Sequence, residues 1–332
     1  MFVIAIAYWN NVYFCNLNEY KEYEFTQRRK LIMYVLKIPP TLKADLEGFE
    51  FLSGFLPKVN ENVTKGKELF VDFSDCTNID GNLAAVLGAL LDKSVPISKR
   101  VMIGTPRNKT VKKVLARNHF LKAWSVDTNV KERENYVEYA RFKSDVSAIK
   151  FKSYILDGLI KKQKFPQHTD LAGDKIVESI YEIYANAVTH GGTNYVYSCG
   201  EYMEDAHRLD MTIIDCGQTI PGNVNDFFAK KSQPIIGDCE AIEWAFVSGN
   251  TTKNQTGGLG LAIIKDFIAL NKGSIQVVSG RGFIEYRGDQ VEQFLLNTPF
   301  AGTIVNVKFN FDDNNKYYMT SERQPFDKND LL

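Results

Sequence analysis

Four polar side chains recur at intervals of four residues in the run DKIVESIYEIYANAVTHGG, residues 174–192: Glu178, Glu182, Asn186 and His190. At helical period this spacing lines all four along one side of a single helix. A carboxylate, an amide and an imidazole so placed can accept a proton, offer an oxygen to a hard cation and neighbour an anion. Ile176, Ile180, Ile183 and Ala187 make a second stripe, widened by Val177, Tyr184 and Val188, so the same helix has a face to bury. Gly191 follows as the residue that turns left-handed most easily, which predicts that the helix ends there. Taken alone, such a polar line is usually a solvated helix face.

Three further blocks change that reading. The apolar run 209–214 predicts a buried strand that ends in Asp215-Cys216-Gly217-Gln218-Thr219-Ile220-Pro221. A carboxylate held at a strand end accepts from the exocyclic amine of a base, and Gly217 permits close backbone approach. Thr256-Gly257-Gly258-Leu259-Gly260-Leu261 then opens an apolar-periodic helix closed by Gly273. Glycines before a helix start offer backbone amides to phosphate, although a flexible loop has the same composition. Lys253 is near enough in sequence to reach a terminal phosphate. Gly302-Thr303 leads into an alternating strand, 304–311.

In this order the blocks resemble the ATP-binding domain shared by gyrase, the heat-shock chaperone ATPases, histidine kinases and MutL, over about residues 150–311. The ending Asn186-Ala187-Val188-Thr189-His190-Gly191 is most similar to the anti-sigma-factor serine kinase branch. The resemblance implies a Bergerat-type two-layer α/β sandwich binding ATP and Mg2+. Asp215 and Gly217 would take the adenine with Thr303 beside them, and Lys253, Gly257, Gly258, Leu259 and Gly260 the phosphates. Asn186 would be the metal ligand and Glu182 the catalytic base. His190 is open to two roles, a phosphate neighbour or a helix-terminal cation. Two positions depart from the pattern: Thr256 stands where a glycine is usual, and Thr219 replaces the second glycine of the adenine loop.

The chain of 332 residues is long enough for two domains with cores of their own. Forty basic and forty acidic residues cancel, which argues against a dedicated nucleic-acid or anionic-membrane surface. Five cysteines without paired spacing argue against a disulfide framework or zinc site and for a reducing cytoplasm. No apolar run approaches the roughly 18 residues of a membrane span. The run 2–9 lacks the basic flank of a signal peptide, and Met33 is an alternative start.

Ahead of the helix, runs 2–9 and 12–15 predict a hairpin turning at Asn10-Asn11, followed by a charged surface segment, 19–30. Strand 31–38 stops at Pro39-Pro40; helix 46–56, strand 68–73, helix 81–91, strand 100–103 and helix 111–118 follow. That alternation predicts a small parallel or mixed sheet. With LFVDFSDCTNIDGNLAAVLGALLDK it resembles the STAS domain of anti-sigma-factor antagonists and sulfate transporters, over about residues 31–125. In the antagonists a serine after the aspartate accepts phosphate; here Asp80 is followed by Gly81 and Asn82, so the acceptor is missing. Ser74 and Thr77 nearby read as local backbone partners. By the same resemblance, 75–83 would face a partner.

The expected organisation is an α/β (α+β) chain: a STAS-like domain with a hairpin extension at 1–128, a charged linker at 129–150, the ATP-binding domain at 151–311 and a loose polar tail at 312–332. The second domain would hold a helix at 151–163 and antiparallel strands at 195–199, 209–214, 274–279, 283–287 and 304–311, with most of 217–256 a lid. The first functional reading is a cytoplasmic ATP-binding regulatory protein. In it slow Mg-ATP hydrolysis and lid closure are coupled to a protein partner, and a homodimer is left open. The alternatives are a protein serine/threonine kinase acting on a separate antagonist, and a nucleotide-binding module without catalysis. An ordinary sensor histidine kinase does not fit, because none of His119, His168 and His207 is followed by an acidic residue.

Overall fold

The computed structural model describes residues 3–8, 11–16, 33–64, 66–126, 136–146, 148–162, 165–252 and 260–322. Asn10, the charged stretch 19–30 and the end of the tail lie outside them. The first half builds β1 (Val3–Tyr8), β2 (Asn11–Asn16), β3 (Met33–Lys37), β4 (Thr41–Leu42), α1 (Leu46–Ser53) and α2 (Phe55–Asn62). It continues through β5 (Glu68–Asp72), β6 (Asn78–Ile79), α3 (Ala84–Ser94), β7 (Arg100–Gly104), α4 (Lys109–Arg117) and α5 (Phe120–Ala123). The five-stranded sheet has the order β2-β1-β7-β5-β3. Helical crossovers make β3, β5 and β7 parallel, while β1 joins β7 antiparallel, so the sheet is mixed. Asn11, expected in the hairpin turn, already pairs with Tyr8 as part of β2. The expected helix 46–56 is two helices meeting at Gly54, the first capped by Asp45, whose Oδ1 accepts from Gly48 N at 2.9 Å.

The second half builds β8 (Tyr136–Lys143), α6 (Ala148–Ile155), α7 (Asp170–Thr189), β9 (Tyr195–Met203) and β10 (Arg208–Asp215). Then come α8 (Ile220–Lys230), α9 (Asp238–Phe246), α10 (Gly260–Leu270), β11 (Ser274–Arg287) and β12 (Gln290–Asn310). Its sheet is antiparallel throughout, in the order β11-β12-β10-β9-β8. Four expectations are corrected. The linker 129–150 contains β8, an edge strand paired through Phe142 and Val196, which buries Val137 and Phe142 and pairs Arg141 with Asp92 of α3 at 2.9 Å. Strands 274–279 and 283–287 are one strand interrupted by a bulge at Ser279–Gly282. The interval 217–256 carries α8 and α9 rather than being mostly lid. The described part of the tail, 312–322, is held: Tyr317 bridges to His168, and Glu322 accepts from the Thr169 hydroxyl at 2.7 Å.

Period-two alternation gives the second sheet two buried faces. Leu209, Met211 and Ile213 of β10, with Val305, Val307 and Phe309 of β12, pack under α7 and α10. The intervening residues turn to the first half, where Ile214, Ile304, Tyr197 and Cys199 join the core around α3. Most polar groups in this seam are paired, the Asn82 Oδ1 being an exception. Asn82 Nδ2 donates to Thr212 Oγ1 at 2.9 Å and Asn306 Oδ1 at 3.0 Å, and Gly81 N to Glu201 Oε2 at 2.6 Å. Burial pushes Glu201 up to about 7 despite that bond. The turn Gly81–Leu83, expected to face a partner, is therefore sealed against the chain's own sheet. The class is mixed α/β, with sheets and helices in an α+β arrangement. Among the described residues no helix is long and apolar enough to cross a membrane.

Candidate functional site

Helix α7 starts at Asp170 rather than 174, because the Thr169 hydroxyl caps it by accepting from Ala172 N at 3.3 Å. Its apolar stripe Ile176, Ile180, Ile183 and Ala187 is buried. Of the polar line, Glu178 is exposed and pairs with Lys175 at 2.7 Å, whereas Glu182, Asn186 and His190 line a cavity of about 310 Å³. Asn186 O accepts from the backbone of both His190 and Gly191, closing the helix. The left-handed residue is Gly192, with φ +59°, and not Gly191. Gly191 is small for another reason: a Cβ there would stand 2.7 Å from Asp215 Oδ1.

Asp215 comes to the same cavity from the end of β10, and Thr303 lies directly across the strand ladder from it. The carboxylate is 3% exposed, and among the described residues its hydrogen bond is from Gly217 N to Oδ1 at 2.8 Å. Burial raises it from the ordinary 3.8 to about 7; the Gly217 bond and the charge of Lys93 on α3 act in the opposite direction. Two further glycines make room at this point. A Cβ on Gly217 would meet the Gly191 backbone, whose carbonyl accepts from Gln218 N at 2.7 Å, and one on Gly302 (φ +137°) would strike Asp215 O. Gly217 is thus needed where two loops cross, and the close approach read in the sequence is between backbones.

The last-strand hydroxyl is tied into place by Ser279. Its Oγ lies 2.9 Å from Thr303 Oγ1, accepts from Ile220 N at 2.9 Å and donates to Gly302 O at 2.9 Å. Thr219 does not serve as a substitute loop glycine: it is the N-cap of α8, accepting from Gly222 N at 3.0 Å, with Pro221 in the first turn. That Thr-x-Pro cap was a readable signal for α8. From α8, Asn223 donates to His190 O at 3.1 Å, while the His190 ring meets Thr252 Oγ1 at 3.2 Å. The imidazole therefore stands at the rim, touching both α7's end and the residues after α9.

Trp244 of α9 also lines the cavity and packs against Phe227 and Phe228 with ring centroids 5.8 and 5.5 Å away. Neither Trp244 nor Ser279 carried a sequence signal, since both reach the site through long-range contacts. Lys253, Gly257, Gly258 and Leu259 lie outside the described residues; Gly260 begins α10. The arrangement offers a buried carboxylate acceptor at one end of the cavity, an amide oxygen with a carboxylate one turn away, and a wall of Trp244 and Leu261. Compared with known protein families and with curated proteins, the sequence matches no family model and no curated protein.

Proposed function

We propose that this chain is an ATP-binding regulatory protein whose second sheet and helices form a Bergerat-type nucleotide site, with a STAS-like unit packed on the sheet's other face. One observation carries the reading. Glu182, Asn186 and His190 of α7, Asp215 at the end of β10 and Thr303 of β12, far apart in sequence, line one cavity of about 310 Å³. That volume falls at the lower end of small-molecule sites, roughly 300–1,000 Å³. The cavity also has one thing a purine needs, a buried carboxylate with acceptor capacity to spare.

In this reading ionised Asp215 accepts from the exocyclic amine of adenine, with the Thr303 hydroxyl beside it. The phosphates extend toward the polar side of α7. Magnesium supplies charge neutralisation at the phosphate oxygens, and Asn186 Oδ1 is the protein oxygen that would hold it. Glu182, one turn earlier, would take the proton from a water attacking the terminal phosphorus as ADP leaves, and slow turnover awaiting a protein partner belongs to this reading. The protein partner is a proposal on the same footing, as is a cytoplasmic location, with which the cysteines that are free among the described residues (Cys76, Cys199, Cys216, Cys239) agree.

Protein serine kinase activity is the second reading, and it requires a separate substrate. The turn where a STAS phosphoacceptor would stand is Gly81-Asn82, which has no hydroxyl and is buried against Thr212 and Asn306. Titration calorimetry of Mg-ATP into wild type and Asp215→Ala tests the main proposal. Binding by wild type and its loss in the variant are expected; equal binding, or none by either, overturns it.

A further inference from the structure

The second sheet has an open edge where β12 outruns β10. Strand β10 pairs with β12 only from Thr303 to Asn310, so the segment Gln290–Leu295 has β11 on one side and, among the described residues, no strand on the other. The turn Gly288-Asp289, with Gly288 at φ +58°, joins Arg287 to Gln290 and makes that pair hydrogen-bonded; Glu285 with Glu292 and Phe283 with Phe294 repeat it at every second rung. Val291, Gln293 and Leu295 therefore point their N–H and C=O groups away from β11, and no described group bonds them. All six residues are exposed, Val291 by 42%, Phe294 by 41% and Leu295 by 63%. The segment is nonetheless held in place. Phe294 stacks on Phe283 with ring centroids 5.9 Å apart, and Gln293 Nε2 donates to Glu243 Oε1 of α9 at 2.7 Å.

The opposite edge of the sheet, β8, is built differently. It has a register irregularity between Val137 and Ala140 and carries Glu138, Arg141 and Lys143, features that keep an edge from pairing. Gln290–Leu295 has one charge, Glu292, and no bulge or proline. Its sequence also complements itself. A second copy laid antiparallel about a two-fold axis at Gln293 sets Gln293 opposite its twin, Val291 opposite Leu295 and Glu292 opposite Phe294, so apolar meets apolar and no like charges face each other. All three outward-facing residues then exchange both backbone bonds with the copy. An axis at Leu295 would need the N–H of Asn297, already given to Glu50, and that of Pro299, which has none. An axis at Val291 would set Gln293 against the turn residue Asp289.

We infer that Gln290–Leu295 of β12 is a homodimer edge: two copies of this chain pair there antiparallel about Gln293, joining their second sheets into one. This pairing needs no nucleotide and is independent of the ATP site. Six residues a side are fewer than the roughly 20–30 of a standard interface, so the dimer is weak and forms with rising concentration.

Sedimentation of the nucleotide-free full chain tests this. The wild-type mass is expected to rise from monomer toward dimer between about 1 μM and about 300 μM, the range in which small interfaces dissociate. Val291→Lys combined with Leu295→Lys, both at exposed side chains, should stay monomeric throughout with an unchanged circular dichroism spectrum. Residue-resolved hydrogen exchange on wild type gives a pattern that depends on no variant. The amides of Val291, Gln293 and Leu295 should slow as the dimer forms, while those of Glu292 and Phe294, bonded to β11, are slow at every concentration. A wild type that is monomeric over the whole range overturns the inference, as does a dimer that the double variant leaves intact. Protection of the three amides in a monomer overturns it too, because the edge would then be covered from within the chain.

Discussion

Gly191 and Asp215 are packed so closely that a methyl group on the glycine would stand 2.7 Å from the carboxylate Oδ1 and closer still to Ala187 O. Both neighbours are fixed, one by burial and the other by the helix. Gly191→Ala should therefore cost about 1–3 kcal/mol in stability, the usual scale for overpacking, and displace Asp215 from the cavity. Urea denaturation and Mg-ATP calorimetry on the same variant check both effects. Wild-type values in the two measurements would mean that the end of α7 is looser than this contact allows.

Asp215 also couples stability to pH. Its folded value of about 7 lies above the ordinary 3.8, so its contribution is complete below 3.8 and is lost as pH rises through 7. Above pH 7 the buried charge costs on the order of 4 kcal/mol. Asp215→Asn keeps an oxygen for Gly217 N and removes the charge, so it should stabilise the nucleotide-free protein more at pH 8 than at pH 5 while abolishing ATP binding. Denaturation at the two pH values measures the first effect, and an unchanged or lowered stability at pH 8 would contradict it.

Glu182 lines the cavity one turn before Asn186. A general base contributes about 10²- to 10⁴-fold to rate and little to ground-state affinity. Glu182→Ala should then bind Mg-ATP as wild type does and lose turnover by a factor in that range. Phosphate release under single-turnover conditions reads it, and undiminished release would remove Glu182 from the chemistry.

Asn82 is fully buried in the seam between the two halves and donates to both Thr212 and Asn306. Asn82→Ala leaves those acceptors with one donor fewer in a dry environment, at a cost of about 1–3 kcal/mol. Because the first half and the outer sheet face share one apolar cluster, the variant should still unfold in a single transition, at lower denaturant. Two separated transitions in calorimetric melting would show that the halves fold independently.

Much of the local architecture was legible in the residues themselves. The stripe Ile176, Ile180, Ile183 and Ala187 marks α7 as a half-buried helix, and the apolar run before Asp215 marks β10, because burial imposes a period that a short window contains. The line Glu182, Asn186 and His190 follows from the same period. What the residues could not disclose was every feature set by contacts between distant segments. Thr303 stands opposite Asp215 through sheet register, Ser279 holds Thr303 and Ile220 across a bulge, and Trp244 arrives on a helix hidden in an interval that reads as loop. Strand β8 is dense in charge and pairs as an edge, so its apolar signal is thin. Only the tertiary structure decided that Gly81 and Asn82 are sealed against the second sheet. Period two shows that each strand has two faces; what covers the second face depends on the packing of a unit more than a hundred residues away.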